Sequence, residues 1–255
     1  RGLGDVYKRQ AKTANLIIVP SEYLKSIVKQ WGIDKDKIKV IYNAVSLPKI
    51  EASKQEARAK LNPHYKKFGV GVNLSGTILI SVGRLVPWKG FDALIEIMPD
   101  LIKQIPDLKL LIIGEGPEKK NYSLLVTRYG LQDNVFLLGK LPHNELLLYL
   151  RAADIFVLNT GYEGLPHQIL EAMAAGLPVI TTNIGGNPEI INHNKNGLLV
   201  KYNDKEQLRA AILKLIQNQD LQRQLVNNAK DSLQAFTLDK MINQTIKLLK
   251  LSLTT

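Results

Sequence analysis

From Gly76 onward, apolar and polar positions alternate in blocks. Short, mostly apolar runs recur: TILISVG (77–83), LKLLIIG (108–114), NVFLLG (134–139), DIFVLN (154–159), PVITT (178–182) and GLLV (197–200). They are too continuous for strands with one solvated face, which predicts strands covered on both faces. Between them lie helix-patterned stretches near 90–104, 117–129, 143–153, 166–175 and 187–192. This alternation predicts an α/β fold, a Rossmann-like doubly wound parallel sheet of about six strands. Right-handed crossovers then bring the strand C-termini to one rim, where ligands bind. Three amphipathic helices are expected near 204–217, 219–235 and 238–251. Asp204 and Asp220 fit helix starts, and Thr237 fits an N-cap.

The pattern before Gly76 differs. RGLGDVYKRQ (1–10) has no apolar periodicity and reads as a non-native or disordered leader. NLIIVP (15–20) reads as a strand, Ser21 as the cap of a helix running to about Gln30, and KVIYNAV (39–45) as a second strand. This β-α-β piece, within 11–50, is too small for a core of its own. SLPKIEASKQEARAK (46–60) reads as a linker and a polar helix, and 61–76 as loop. The main domain is expected over 51–235, with a separate terminal helix in 236–255.

Composition narrows the classes. The chain has 255 residues, is 45% hydrophobic and has no cysteine. Disulfides and thiolate metal sites are therefore excluded, and a reducing compartment such as the cytoplasm fits. No apolar run approaches the roughly 18–20 residues that span a bilayer. The net charge of +11 is uneven. Residues 1–72 carry 15 Lys or Arg against 6 Asp or Glu, residues 73–200 carry 10 against 12, and residues 201–255 carry 9 against 5. Basic flanks of this kind can meet nucleic acid or anionic lipid on the inner face of a membrane, but a lysine-rich surface is more often only solvated. No nucleic-acid partner is expected.

Four loops on the expected rim carry candidate chemistry. In GRLVPWKG (83–90), Gly83 turns the backbone, and Arg84 and Lys89 flank a helix N-terminus. Cations beside unpaired helix N–H groups suit a diphosphate, although two solvated cations would look the same. GEGPEKK (114–120) lacks the third glycine of a dinucleotide fingerprint and reads as Pro117 opening a helix, which argues against a nicotinamide enzyme. In YEGLPHQILEAMAAG (162–176), Glu163 precedes a helix and Glu171 lies inside it. From Gly164 to Pro188, Glu171 is the only formal charge. A carboxylate in such surroundings needs donors or a cavity, and a ribose diol offers two hydroxyls. The plain alternatives are a helix-dipole partner for Glu163 and a solvated face for Glu171. In NIGGNPEII (183–191), Gly185 and Gly186 permit close backbone approach, Asn187 can cap the helix opened by Pro188, and Glu189 serves its first turn. His64, His143, His167 and His193 have no metal-ligand spacing. His143 reads as a helix start, and His167 as either half-buried or a ligand contact.

GRLVPWKG, EGLPHQILEAMAAGLPVITT and GGNPEII with NGLLV, in that order, resemble the donor-binding half of glycosyltransferase family 4, the group 1 glycosyltransferases. The resemblance spans roughly 15–250. It implies a GT-B architecture of two Rossmann-like domains and a retaining transfer of sugar from a nucleotide-sugar, UDP- or GDP-linked, with no metal and no cofactor. It implies that Arg84 and Lys89 contact the diphosphate, that Glu171 binds the ribose, and that Glu163, with Gly164 and Leu165 beside it, meets the transferred sugar. Gly83 would belong to the same donor site, and Gly139, Lys140 and Leu141 would edge the base pocket. It also implies that most of the N-terminal acceptor domain is missing and that the terminal helix packs back on that domain. The acceptor, a saccharide or a lipid-linked one, stays open. A phosphorylase or epimerase on the same fold, a glycoside hydrolase using Glu163 and Glu171, and a non-catalytic nucleotide- or membrane-binding module are the competing readings.

Overall fold

The computed structural model describes residues 3–45, 52–61 and 74–253. The chain opens with helix α1 (Leu3–Thr13), where the sequence predicts a leader without order. A contact explains the difference in part: Ala11 packs on the small core of the N-terminal unit, while Val6 and Tyr7 stay exposed. That unit comprises strand β1 (Ile17–Val19), helix α2 (Glu22–Gln30) and strand β2 (Ile38–Val40), the two strands pairing in parallel. Ser21 caps α2 as expected, its Oγ accepting from the Leu24 amide at 3.1 Å. Its core is Val19, Val28, Ile33 and Ile38.

The second strand is shorter than predicted. After Ile41, whose amide still donates to Val19 of β1 at 3.0 Å, the chain docks on the larger unit: Tyr42 stacks edge-on with Phe236 at 5.4 Å, and Val45 bridges to Thr237. The polar helix predicted beyond it is α3 (Lys54–Leu61). Ser53 and Glu56 close a capping box at its start, and Arg58 ties it to Asp154 at 2.7 Å. The expected linker at 46–51 and most of the expected loop, 62–73, lie outside the described residues.

The larger unit follows the alternation read from the sequence. Its order is β3 (Ile78–Val82), α4 (Phe91–Gln104), β4 (Lys109–Ile113), α5 (Lys119–Arg128), β5 (Val135–Gly139), α6 (His143–Ala152), β6 (Ile155–Leu158), α7 (His167–Ala174), β7 (Val179–Thr182), α8 (Asn187–Ile190) and β8 (Leu198–Val200). Helices α9 (Lys205–Gln217), α10 (Gln219–Leu233) and α11 (Leu238–Leu253) complete it. Asp204 caps α9 as expected; Asn218, not Asp220, caps α10, because its side chain reaches the Leu221 amide at 2.8 Å. Thr237 accepts from the Lys240 amide at the start of α11.

The six strands are all parallel and run β5-β4-β3-β6-β7-β8. Within each central strand, neighbours face opposite ways. Ile78, Ile80, Phe156 and Leu158 join the core under α3, α6, α7 and α10. Leu79, Leu110, Ile155 and Val157 join the core under α4, α5 and α9. Both faces are dry, which is why the strand sequences show no polar alternation. Each such side chain contributes about 1.5–3 kcal/mol by burial. The result is one Rossmann-like sheet of six strands beside a smaller two-stranded sheet, the GT-B-like arrangement that the resemblance implied.

Candidate active site

Strand order decides where a site can form. Chain order runs outward from β3 to β5, then returns past β3 to β6. Between β3 and β6 the connections diverge to opposite faces, and the crevice at such a switch point accepts ligands. The loop after β3 carries Arg84 and Lys89, and the loop after β6 carries Glu163. Across that crevice the Lys89 ammonium donates to the Glu163 carboxylate, with 74 positions of chain between them. Both side chains are nearly buried, at 10% and 12% exposure. Charges so withdrawn from water persist only when paired.

Lys89 is held from both sides. The turn Pro87–Lys89 ends at Gly90, whose carbonyl accepts from Asn159 Nδ2 at 3.0 Å. The Gly161 amide donates to the Trp88 carbonyl at 2.7 Å. Glycine is not required at Gly83 for the turn. Its φ is not positive, and a Cβ there would meet the Lys89 stem at an ordinary 3.5 Å. Arg84 is exposed on the same loop and pairs with no carboxylate among the described residues.

The GEGP turn after β4 does more than open a helix. Glu118, not Pro117, borders α5. The Leu85 amide donates to the Glu115 carbonyl at 2.9 Å, and the Glu118 amide to the Leu85 carbonyl at 3.1 Å. A Cβ at Gly116 would stand 2.2 Å from the Leu85 oxygen, so glycine is required for this approach. The Gly114 amide then donates to the Gly139 carbonyl at 2.8 Å. The Lys119 ammonium first, with help from the Lys140 backbone, holds the Glu115 carboxyl below the usual range. The Arg84 loop, the GEGP turn and Gly139–Leu141 thus form one hydrogen-bonded rim.

On the other side of the crevice, the Glu163 loop rests on the glycine pair after β7. The Gly186 amide donates to the Glu163 carbonyl at 3.1 Å. A Cβ at Gly185 would lie 2.1 Å from that carbonyl, and one at Gly186 2.0 Å from the Gly164 carbonyl. Asn187 does not cap α8; Gly186 does. The Asn187 side chain is fully buried and bonds Thr181 and Thr182 at 3.1 Å, tying α8 to the end of β7. Nor does Glu189 serve the first turn of its own helix. Its carboxylate accepts from the Glu22 and Tyr23 amides, both at 2.8 Å.

Glu171 lies one turn into α7, its side chain 18% exposed. Burial pushes its carboxyl up, opposed by His143 and His167. His143, the first residue of α6, stands 3.7 Å away through Nδ1. His167 is exposed rather than half-buried. The position of Glu171 therefore joins the far end of the crevice to the β5 side. A cavity of about 960 Å³ runs along β5, lined by Phe136, Leu138, Lys140, Leu141, Pro142 and Tyr149 among others. It reaches the expected base edge but includes none of Arg84, Lys89, Glu163 and Glu171. Among the described residues, no group of three His, Asp or Glu side chains could hold a metal ion.

The family profile "Glycosyl transferases group 1" matches residues 66–232, and "Glycosyltransferase Family 4" matches residues 2–48. The chain belongs to the group 1 glycosyl transferases. This group 1 chain is 27% identical over 248 residues to an uncharacterised glycosyltransferase of Methanocaldococcus jannaschii, covering 97% of itself and 62% of the relative. It is 33% identical over 171 residues to a Mycobacterium tuberculosis protein named GDP-mannose-dependent alpha-(1-6)-phosphatidylinositol monomannoside mannosyltransferase, covering 64% of itself and 43% of the relative. Among solved structures, sucrose-phosphate synthase from Thermosynechococcus elongatus superposes with a TM-score of 0.84 at 28% identity, over 98% of this chain and 61% of that one. Anabaena HepE in complex with UDP-glucose superposes with a TM-score of 0.82 at 24% identity, over 96% and 66%, a likeness of fold. The chain thus spans less than two thirds of each.

Within this group 1 fold, the sequence-predicted Lys89 and Glu163 meet directly, and Arg84 shares the Lys89 loop. Gly164 and Leu165 follow Glu163 in a loop packed against α2 and against Asn43, beyond β2. The residues that hold the Lys89 turn are Asn159, through the Gly90 carbonyl, and Thr160, whose hydroxyl donates to the Trp88 carbonyl at 3.3 Å. Their signal in the sequence is faint: polar residues at the end of a strand run, DIFVLN followed by Thr160.

Proposed function

We propose that this chain is the donor-binding part of a retaining glycosyltransferase that takes sugar from a nucleoside-diphosphate sugar. The observation that carries the reading is the Lys89–Glu163 ion pair at the sheet's switch point. Breaking a glycosyl–phosphate bond builds negative charge on the diphosphate and positive charge on the sugar. Arg84 and Lys89 are placed for the first, and Glu163 for the second. A donor diphosphate competes for Lys89 and releases Glu163 toward the sugar. Removing one such group costs about 10²–10³ in rate, as for other pre-placed charge stabilisers. Glu171, buried and short of donors, suits the ribose hydroxyls. Gly139, Lys140 and Leu141 edge the base. The mycobacterial relative named for GDP-mannose supports a guanosine donor, and a uridine donor is the other candidate.

The acceptor half is proposed to lie in a longer protein, since the chain spans 62% of its archaeal relative. Leu238, Ile242, Ile246 and Leu249 form an exposed stripe on α11, suited to packing on such a domain. A thermal-shift panel of UDP, GDP, ADP and their sugars tests the reading. One nucleotide class raises Tm weakly, the shift is lost in Arg84→Ala and Glu171→Ala, and the 255-residue chain transfers no sugar. Absence of any nucleotide shift would overturn the donor assignment, and sugar transfer would overturn the incomplete one.

A second reading, peripheral contact with an anionic membrane at its cytoplasmic face, is favoured by one feature. A groove of about 600 Å³ between α2, β2 and α11 is lined by Lys25, Lys29, Lys35, Lys39 and Lys247 against Asp36. No described helix is long and apolar enough to cross a membrane.

A further inference from the structure

We infer that Glu189 is a positioning residue for Glu163: it fastens the β1–α2–β2 unit onto the loop that carries the sugar-side carboxylate. The inference rests on the donor reading above. It starts from the loop Tyr162–Leu165, which is gripped on two sides. On one side is the start of α8, through the Gly186 amide on the Glu163 carbonyl and the close backbone approach at Gly185 and Gly186. On the other is the N-terminal unit. Tyr23 meets Tyr162 edge-on with ring centroids 6.3 Å apart. Leu24 packs so closely on Gly164 that a Cβ there would stand 2.8 Å from Leu24 Cδ1. Asn43 Nδ2 donates to the Leu165 carbonyl at 3.2 Å.

Glu189 joins the two jaws. It belongs to α8, yet its two carboxylate oxygens take the Glu22 and Tyr23 amides at 2.8 Å each. Ser21 takes the next two, the Leu24 amide through Oγ and the Lys25 amide through its carbonyl. The Lys25 bond is the first of the helix itself; the open amides of Glu22, Tyr23 and Leu24 are all satisfied, two of them by a residue 166 or more positions away. A carboxylate facing backbone N–H groups at a helix N-terminus gains from the helix dipole as well as from charge-assisted bonds. Tyr42 reaches the same carboxylate, and its phenol is raised by burial first and by Glu189 second. Without Glu189, α2 can withdraw from the loop, and Glu163 loses the support opposite Gly186.

The test separates positioning from plain stability. Glu163 faces the sugar, whereas Arg84, Lys89 and Glu171 face the nucleotide. In the 255-residue chain, Glu189→Ala therefore leaves the Kd for UDP and GDP within about twofold of wild type. It weakens the Kd for the matching sugar, UDP-glucose or GDP-mannose, by about tenfold, the scale of one charged hydrogen bond. Glu189→Gln keeps one acceptor oxygen and falls between. Amide exchange across 161–166 rises in Glu189→Ala without any nucleotide. Equal weakening of nucleotide and nucleotide-sugar, or unchanged exchange in that segment, overturns the inference. Should Glu189→Ala fail to fold, Asn43→Ala loosens the same clamp from the β2 side and carries the same comparison. A wild-type chain that binds neither ligand overturns the donor reading and this one with it. A wild-type chain that binds both, with a variant that discriminates no differently, overturns this one alone.

Discussion

Glu171 stands in a helix whose neighbours are apolar, and its carboxyl is raised above the ordinary value of 4.5 by burial, against the pull of His143 and His167. A raised acid binds more protons folded than unfolded. Stability therefore falls as pH rises from the ordinary value through the folded one, and the penalty remains in full at neutral pH. Glu171→Gln is accordingly expected to raise Tm at pH 7 and to weaken nucleotide stabilisation. The Tm advantage shrinks toward zero as pH falls below 4.5, where both states are protonated. Tm measured from pH 4 to pH 8 checks this, and an advantage equal at both ends would refute it. At this scale the sequence exposed Lys89, Glu163 and Glu171 as charges in an apolar segment or beside a helix start. It did not expose the Lys89–Glu163 contact, which depends on which strands are neighbours. A first-turn glutamate normally serves its own helix; Glu189 instead accepts from the Glu22 and Tyr23 amides of α2.

Strands and helices were legible almost throughout the larger unit, because both faces of the sheet are dry and every crossover is helical. Where the reading fell short, a backbone contact had replaced a side-chain one. GEGP looked like a turn that opens a helix. Its glycines instead let the β4 loop lie against the Arg84 loop, and no hydrophobic pattern encodes that. Two glycines separate the effects. Gly116→Ala places a Cβ 2.2 Å from the Leu85 oxygen and is expected to cost about 1–3 kcal/mol while blunting nucleotide stabilisation. Gly130→Ala has open space but a φ of +65°, so it costs about 1–2 kcal/mol of backbone strain and leaves nucleotide stabilisation intact. Urea unfolding with and without nucleotide distinguishes the two. β2 was overextended in the sequence reading because KVIYNAV is apolar enough for a strand; Tyr42 and Val45 use that character to dock on Phe236 and Thr237 instead.

Charge belongs to the whole molecule. Five lysines of the basic flanks meet at the groove between α2, β2 and α11, against the single acid Asp36 and far in sequence from the crevice. Binding to phosphatidylserine vesicles is therefore expected to survive Glu171→Ala and to fall steeply with salt, as the Debye length shrinks from about 10 Å at 0.1 M toward 3 Å at 1 M. Cosedimentation at several salt concentrations measures it; binding insensitive to salt would remove the electrostatic account. The strand order has a consequence in time as well as in space. Lys89 leaves the ribosome 74 residues ahead of Glu163, roughly 4–15 s at ordinary synthesis rates. For that interval the ammonium lacks its native partner. The Lys89–Glu163 contact cannot form until β6 has been delivered and has inserted beside β3, so β3, β4 and β5 all emerge before the two walls of the crevice can meet.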